Sequence, residues 1–229
     1  MAKHIGIVAC SAEGAALCYR TICVEGAAVF GTHNHPEITM HTLPLAQYMA
    51  PIYDDDWKSA GDLILRSACK LAEAGADFLI CPDNTIHQAI DLVIDRSPLP
   101  WLHIATEVAS AAKSRGYRRV GVLGTKYLME GPVYPPKFAT AGIAHEIPPA
   151  EDRERINRII FEELVNGRFE QSARRFFQDI IIELKDRGCD AVALSCTEIP
   201  LLIREADSSL PILDSTRLLA RAALREAAR

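Results

Sequence analysis

The 229-residue sequence has no dense tract of Lys or Arg, and its formal charge is −5. Nucleic acids and anionic membranes demand a clustered positive field, so neither is an expected partner. A small molecule is. Nor is there an apolar run fit for a membrane span or a leader h-region, because the opening MAKHIGIVACSAEG meets small and acidic residues at once. A cytoplasmic location is the expectation. The cysteines number seven, and no CxxC pair occurs among Cys10, Cys18, Cys23, Cys69, Cys81, Cys189 and Cys196. An odd count without pairs argues against a disulfide framework and against a structural zinc site. HxxxH spacing is also missing, so His33, His35 and His41 are not read as a metal cluster.

What is present is core material and a repeat. Hydrophobic residues make up 49% of the composition, enough at this length for one large domain or two small ones. Short apolar runs alternate with amphipathic stretches, the pattern of a parallel sheet with crossover helices. HIGIVA, DFLICP, LPWLHI, RVGVLG, AVALS and LPILD are the strand candidates. Trp57, Ala60, Ile64, Ala68 and Leu71 recur at helical spacing ahead of Gly75, as do Phe169, Ala173, Phe176, Ile180 and Leu184 ahead of Gly188. Both stripes are core faces.

The two halves can be overlaid. IGIV from Ile5 resembles VGVL from Val120 with a shift of 115, GADFLICPDNT from Gly75 resembles GCDAVALSCTE from Gly188 with a shift of 113, and LPWLH from Leu99 resembles LPILD from Leu210 with a shift of 111. The duplication predicts an α/β fold of two pseudo-symmetric Rossmann-like halves, each a parallel sheet flanked by helices. Residues 1–113 form the first half and 114–213 the second, with a C-terminal helix over 214–229 available to close the first. Asp83 stands eight residues after Gly75, and Cys196 eight after Gly188. Ligands of open α/β sheets bind beyond the carboxyl ends of strands. The expected site is therefore a cleft between the halves, with this acid and this thiol on opposite walls.

Two proton-transfer groups on either side of a small substrate suit inversion at carbon, one removing a proton and the other returning one to the opposite face. A thiolate at Cys196 is favoured by the TEIPLL helix start that follows, and Asp83 has the same placement ahead of NTIHQAIDLV. There is a plainer reading of each. Asp83, Asn84 and Thr85 are all good helix caps, and a buried Cys is commonly a packed thiol. The matched register of the two moves the weight toward a site.

At these residues the sequence resembles the cofactor-independent aspartate/glutamate racemase superfamily, which also includes hydantoin racemases, maleate isomerases and arylmalonate decarboxylases. The likeness runs through IGIV, GADFLICPDNTIH, GVLGT and ALSCTEIPLLI. It implies an amino-acid racemase of aspartate or glutamate type that needs no cofactor, with Cys196 as the second-half acid/base thiol and Thr197 beside it on the substrate carboxylate. Asn84, Thr85 and Thr125 match carboxylate-binding positions, Ser11 lies in the first loop close to the ligand, and Glu198 aligns with an acid near the second thiol. Where the family carries its first Cys, this chain has Asp83. Cys81, about 7 Å further back on the same strand face, is assigned to the core. The usual pair of thiols thus becomes Asp83 and Cys196. His87 is read as a supporting group and not as a base.

The segment THNHPEITMHTLPLAQYMAPI contains no Arg or Lys, although aspartate-specific members often present an Arg from this region. It is expected to be a lid or a dimer contact, and the resemblance favours a homodimer. Two competitors stay open. One is a reaction of the same superfamily with a single thiol, a decarboxylation or isomerisation. The other is an amino-acid-binding protein without turnover.

Overall fold

The computed structural model describes residues 2–229, and all six apolar runs form strands in it. The chain divides into two units: one runs to Ile104 and takes up Leu219–Arg229, the other is Ala105–Leu218. The first unit contains β1 (Ile5–Ala9), α1 (Ala12–Phe30), β2 (Ile38–Thr42), α2 (Leu45–Tyr53), α3 (Trp57–Glu73), β3 (Phe78–Ile80), α4 (His87–Val93) and β4 (Trp101–Leu102). Its parallel sheet has the order β2-β1-β3-β4. Central strands β1 and β3 are buried along their whole length, which is why they read as unbroken apolar runs.

The second unit repeats this plan. It comprises α5 (Ile104–Ser114) from Ala105 on, β5 (Arg119–Leu123), α6 (Lys126–Glu130), α7 (Pro135–Ala141), β6 (Ala144–Glu146), α8 (Ala150–Glu162), α9 (Gln171–Asp186), β7 (Ala191–Leu194), α10 (Ile199–Leu202) and β8 (Ile212–Asp214), in the sheet order β6-β5-β7-β8. The closing helix α11 (Ser215–Ala227) starts here, and its residues Leu219, Ala220, Ala223 and Leu224 pack with Ile5, Ile7, Phe78 and Ile80 of the first unit's core.

Local chemistry sets the helix ends. Asp56 caps α3 by accepting the Ser59 N–H at 3.0 Å. Gly75 and Gly188 each follow their helix at φ +87°, the left-handed conformation that lets the chain reverse into a strand. The α3 stripe Ala60, Ile64, Ala68 and Leu71 is buried, as are Ala173, Phe176, Ile180 and Leu184 of α9. Phe169 departs from its expected place. It precedes α9 and is exposed.

Strands β2 and β6 have no counterpart among the apolar runs. Both are sheet edges with half-exposed residues, so neither needs a continuous apolar sequence. Most of the segment expected to be a lid or a dimer contact is accordingly regular structure, β2 followed by α2, with Tyr48 and Ile52 of α2 buried. Among the described residues no helix is long and apolar enough to cross a membrane.

A Cβ added at Gly124 would lie 2.6 Å from Leu128 Cδ2 and 2.9 Å from the Ser195 carbonyl oxygen. The Ser195 backbone cannot yield without shifting the strand end. Gly124→Ala should therefore lower unfolding stability by about 1–3 kcal/mol, measured by urea denaturation, whereas Gly116→Ala, with open space at its Cβ, should lose only what its positive φ costs.

Candidate active site

Strand register places the two candidate groups in equivalent positions without appeal to sequence similarity. Phe78 pairs with Ile5 in the first sheet and Ala191 with Val120 in the second; Leu79 pairs with Trp101 and Val192 with Ile212. These pairs reproduce the shifts of 115, 113 and 111 found between the halves. Asp83 and Cys196 each stand five residues beyond the paired strand residue, Phe78 or Ala191. Both lie just past the carboxyl end of a central strand.

In the second unit, three consecutive side chains form one hydrogen-bonded group. Cys196 Sγ donates to Glu198 Oε2 at 3.0 Å, and Thr197 Oγ1 donates to the same oxygen at 3.0 Å. Cys196 is 8% exposed and Glu198 only 2%, while Glu198 Oε1 has no hydrogen-bond partner among the described residues. A carboxylate so buried is costly unless a positive or donor group completes it. Thr125, also buried, caps α6 by accepting the Leu128 N–H at 3.2 Å. The helix expected to favour a thiolate at Cys196 is the single turn α10, too short for much of a dipole. The thiol's hydrogen-bond acceptor is Glu198.

In the first unit, Asp83 Oδ1 accepts the Ile86 N–H at 3.2 Å, so the capping role is real. Asn84 is buried and Thr85 half-buried beside it, and Ser11 caps α1 by accepting the Gly14 N–H at 3.3 Å. His87 is fully buried. Its Nε2 accepts the Ile104 N–H at 3.2 Å, so Nδ1 carries the proton and donates to the Asp83 carbonyl at 2.7 Å. The ring is thus a neutral brace between the Asp83 turn and Ile104. His103 lies edge-on to it, with ring centroids 4.5 Å apart.

Three features of this strand end escaped the sequence reading. Cys10 Sγ lies 4.0 Å from Cys81 Sγ, and both thiols are buried. Tyr48 of α2 is 1% exposed, and its hydroxyl has no hydrogen bond of good geometry among the described residues; burial, then the neighbouring Cys10, raises its pKa. Cations also reach the Lys- and Arg-free segment from α3. Arg66 Nη2 donates to Gln47 Oε1 at 3.1 Å, and the His41 pKa is lowered by burial, then by Lys70 and Arg66. His41 Nδ1 is 2.9 Å from Ser67 Oγ. A positional signal existed only for the Cys10 and Cys81 pair, each near the end of an apolar run.

The sequence profile of Asp/Glu/Hydantoin racemases matches residues 7–223. Among curated proteins, the broad specificity amino-acid racemase RacX of Bacillus subtilis (strain 168) is 24% identical over 197 residues, covering 84% of either chain. Among solved structures, a Yersinia pestis protein described as a candidate Asp/Glu racemase is 32% identical with a TM-score of 0.89, covering 99% of this chain and 100% of that one. PH1733, an aspartate racemase homologue from Pyrococcus horikoshii OT3, is 27% identical with a TM-score of 0.85 and complete coverage of both chains.

Removing the His87 ring would leave the Ile104 N–H and the Asp83 carbonyl without this partner in a buried place. His87→Ala should lower stability by about 2–4 kcal/mol, read as a shift of the urea midpoint at unchanged slope; an unmoved midpoint would show that the ring braces nothing.

Proposed function

Because the chain belongs to the Asp/Glu/Hydantoin racemase family, we propose that it is a cofactor-independent amino-acid racemase of the aspartate/glutamate type, inverting Cα by proton transfer between Cys196 and Asp83. The observation that carries the reading is the buried thiol–carboxylate pair: Cys196 Sγ already donates to Glu198 Oε2 at 3.0 Å. A thiol becomes a base only after losing its proton, and Glu198 is placed to receive it. The α-proton of an amino acid is weakly acidic, so the electron pair left on Cα must spread into the substrate's own carboxylate. Hydrogen-bond donors there are worth about 3 kcal/mol each in the transition state. Asn84, Thr85, Thr125 and Ser11 supply hydroxyl and amide groups suited to that task, Thr197 holds the Glu198 carboxylate in place, and Glu198 Oε1 suits the substrate ammonium.

The acidic-substrate reading draws on charge. Arg66 and Lys70 act on the His41 segment, which has no cation of its own. A second reading, in which Cys196 alone moves the proton, is favoured by one observation: the Asp83 carboxylate is engaged as a cap to Ile86. Such chemistry would racemise slowly or would protonate a carbanion left by decarboxylation.

The test is deuterium incorporation at Cα, followed by NMR in D2O with L- and D-aspartate, glutamate, alanine and lysine. Exchange and interconversion of enantiomers are expected, with Cys196→Ala abolishing interconversion. Glu198→Gln, which keeps the shape but accepts no proton, should lower kcat by about 10²-fold or more. Full activity of Cys196→Ala would sink the thiol mechanism, and carbon dioxide release from a malonate-type substrate would favour the one-thiol reading.

A further inference from the structure

Inversion needs a group on the far face of Cα that arrives carrying a proton. Asp83 is poorly suited to be that group by itself, because its carboxylate accepts a backbone N–H as a cap. The first unit holds a thiol suited to the task. Cys10 and Asp83 each follow the end of one of the paired strands β1 and β3, and the charge of Asp83 acts on the Cys10 thiol. Cys10 is 5% exposed, close to the 8% of Cys196, and its Sγ is 4.0 Å from that of Cys81. The buried Tyr48 hydroxyl borders the same place.

We propose that Cys10 is the proton donor of the first unit, with Asp83 as the carboxylate that keeps it loaded; the proposal rests on the racemase reading above and moves the first-unit proton transfer from Asp83 itself to the thiol beside it. Hydrogen bonding to Cys81, then burial, then the charges of Cys81 and Asp83 hold the Cys10 thiol well above its ordinary pKa, against an opposing effect of Tyr48. A thiol so held carries its proton at neutral pH, when an ordinary carboxylate has lost its own. In the forward step the Cys196 thiolate takes the proton from Cα, and the electron pair moves into the substrate carboxylate. That pair then returns to Cα and takes the Cys10 proton on the opposite face. The new Cα–H bond forms as S–H breaks, leaving the pair on Cys10 sulfur. Beside Asp83 this thiolate is a strong base, so it recovers a proton from water, or in the reverse direction takes one from Cα.

The experiment resolves exchange by enantiomer, using purified full-length chain in D2O with the same L- and D-amino acids. Cys10→Ala and the near-isosteric Cys10→Ser should retain deuterium exchange into the enantiomer deprotonated by Cys196. Both should lose exchange into the other enantiomer, and interconversion, by about 10²-fold or more. Cys196→Ser should show the opposite preference, and the exposed Cys69→Ser should behave as the unaltered chain. A packing defect at Cys10 would instead depress exchange of both enantiomers alike, and that result, or undiminished interconversion, would overturn the proposal. If the unaltered chain exchanges no amino acid, the racemase reading falls and this one with it; if it racemises while Cys10→Ser does too, only this one falls.

Discussion

The parallel register of the central strands is the constraint on which the rest depends. A strand buried on both faces can pair only through its backbone, and its polar side chains must wait until it leaves the sheet. In this chain β1 with β3 and β5 with β7 are such pairs. The residues that follow them are the first able to carry an acid, thiol or hydroxyl at modest cost. Ser11, Asp83, Thr125 and Cys196 all occupy such positions. One-residue slips would carry these groups to the other face, so the same pairing that makes the core also sets the chemistry.

Those polar groups serve the backbone as well. Ser11, Asp83 and Thr125 each accept an N–H from the turn that follows, so capping and a candidate binding role fall on the same atoms. The two strand ends are completed differently. At Cys196, a buried carboxylate two residues on takes hydrogen bonds from the thiol and from Thr197. At Asp83, the acid sits on the strand end, and the thiol comes from the neighbouring strand at Cys10. Each end thus combines a thiol with a carboxylate, with the two groups in exchanged positions. His87 ties the Asp83 turn to Ile104 through both ring nitrogens, which accounts for its buried imidazole.

Much of this was legible before any coordinates. Six strands were visible because burial on both faces leaves a continuous apolar run, and α3 and α9 because a buried helix face repeats every three or four residues. β2 and β6 were not, since an edge strand such as ITMHT pairs on one side only and tolerates polar residues. The same blindness hid the regular structure of the segment expected to be a lid or a dimer contact, which holds β2 and α2 and in which Tyr48 is among the most buried side chains. Cys81 was rightly sent to the core, but its contact with Cys10 joins residues 71 positions apart, and no local pattern encodes such a distance.

By itself the sequence determined the α/β class, the duplication and the equivalence of Asp83 with Cys196, because periodicity and constant shifts are properties of order along the chain. Tertiary structure alone decided which groups act on one another: that Glu198 turns back to accept the Cys196 hydrogen bond, that His87 is a brace with a defined tautomer, and that Cys10, Cys81 and Tyr48 gather beside Asp83. Hydrogen bonds and charge interactions depend on distances of a few ångströms and on burial, and both arise only when strands distant in sequence are brought side by side.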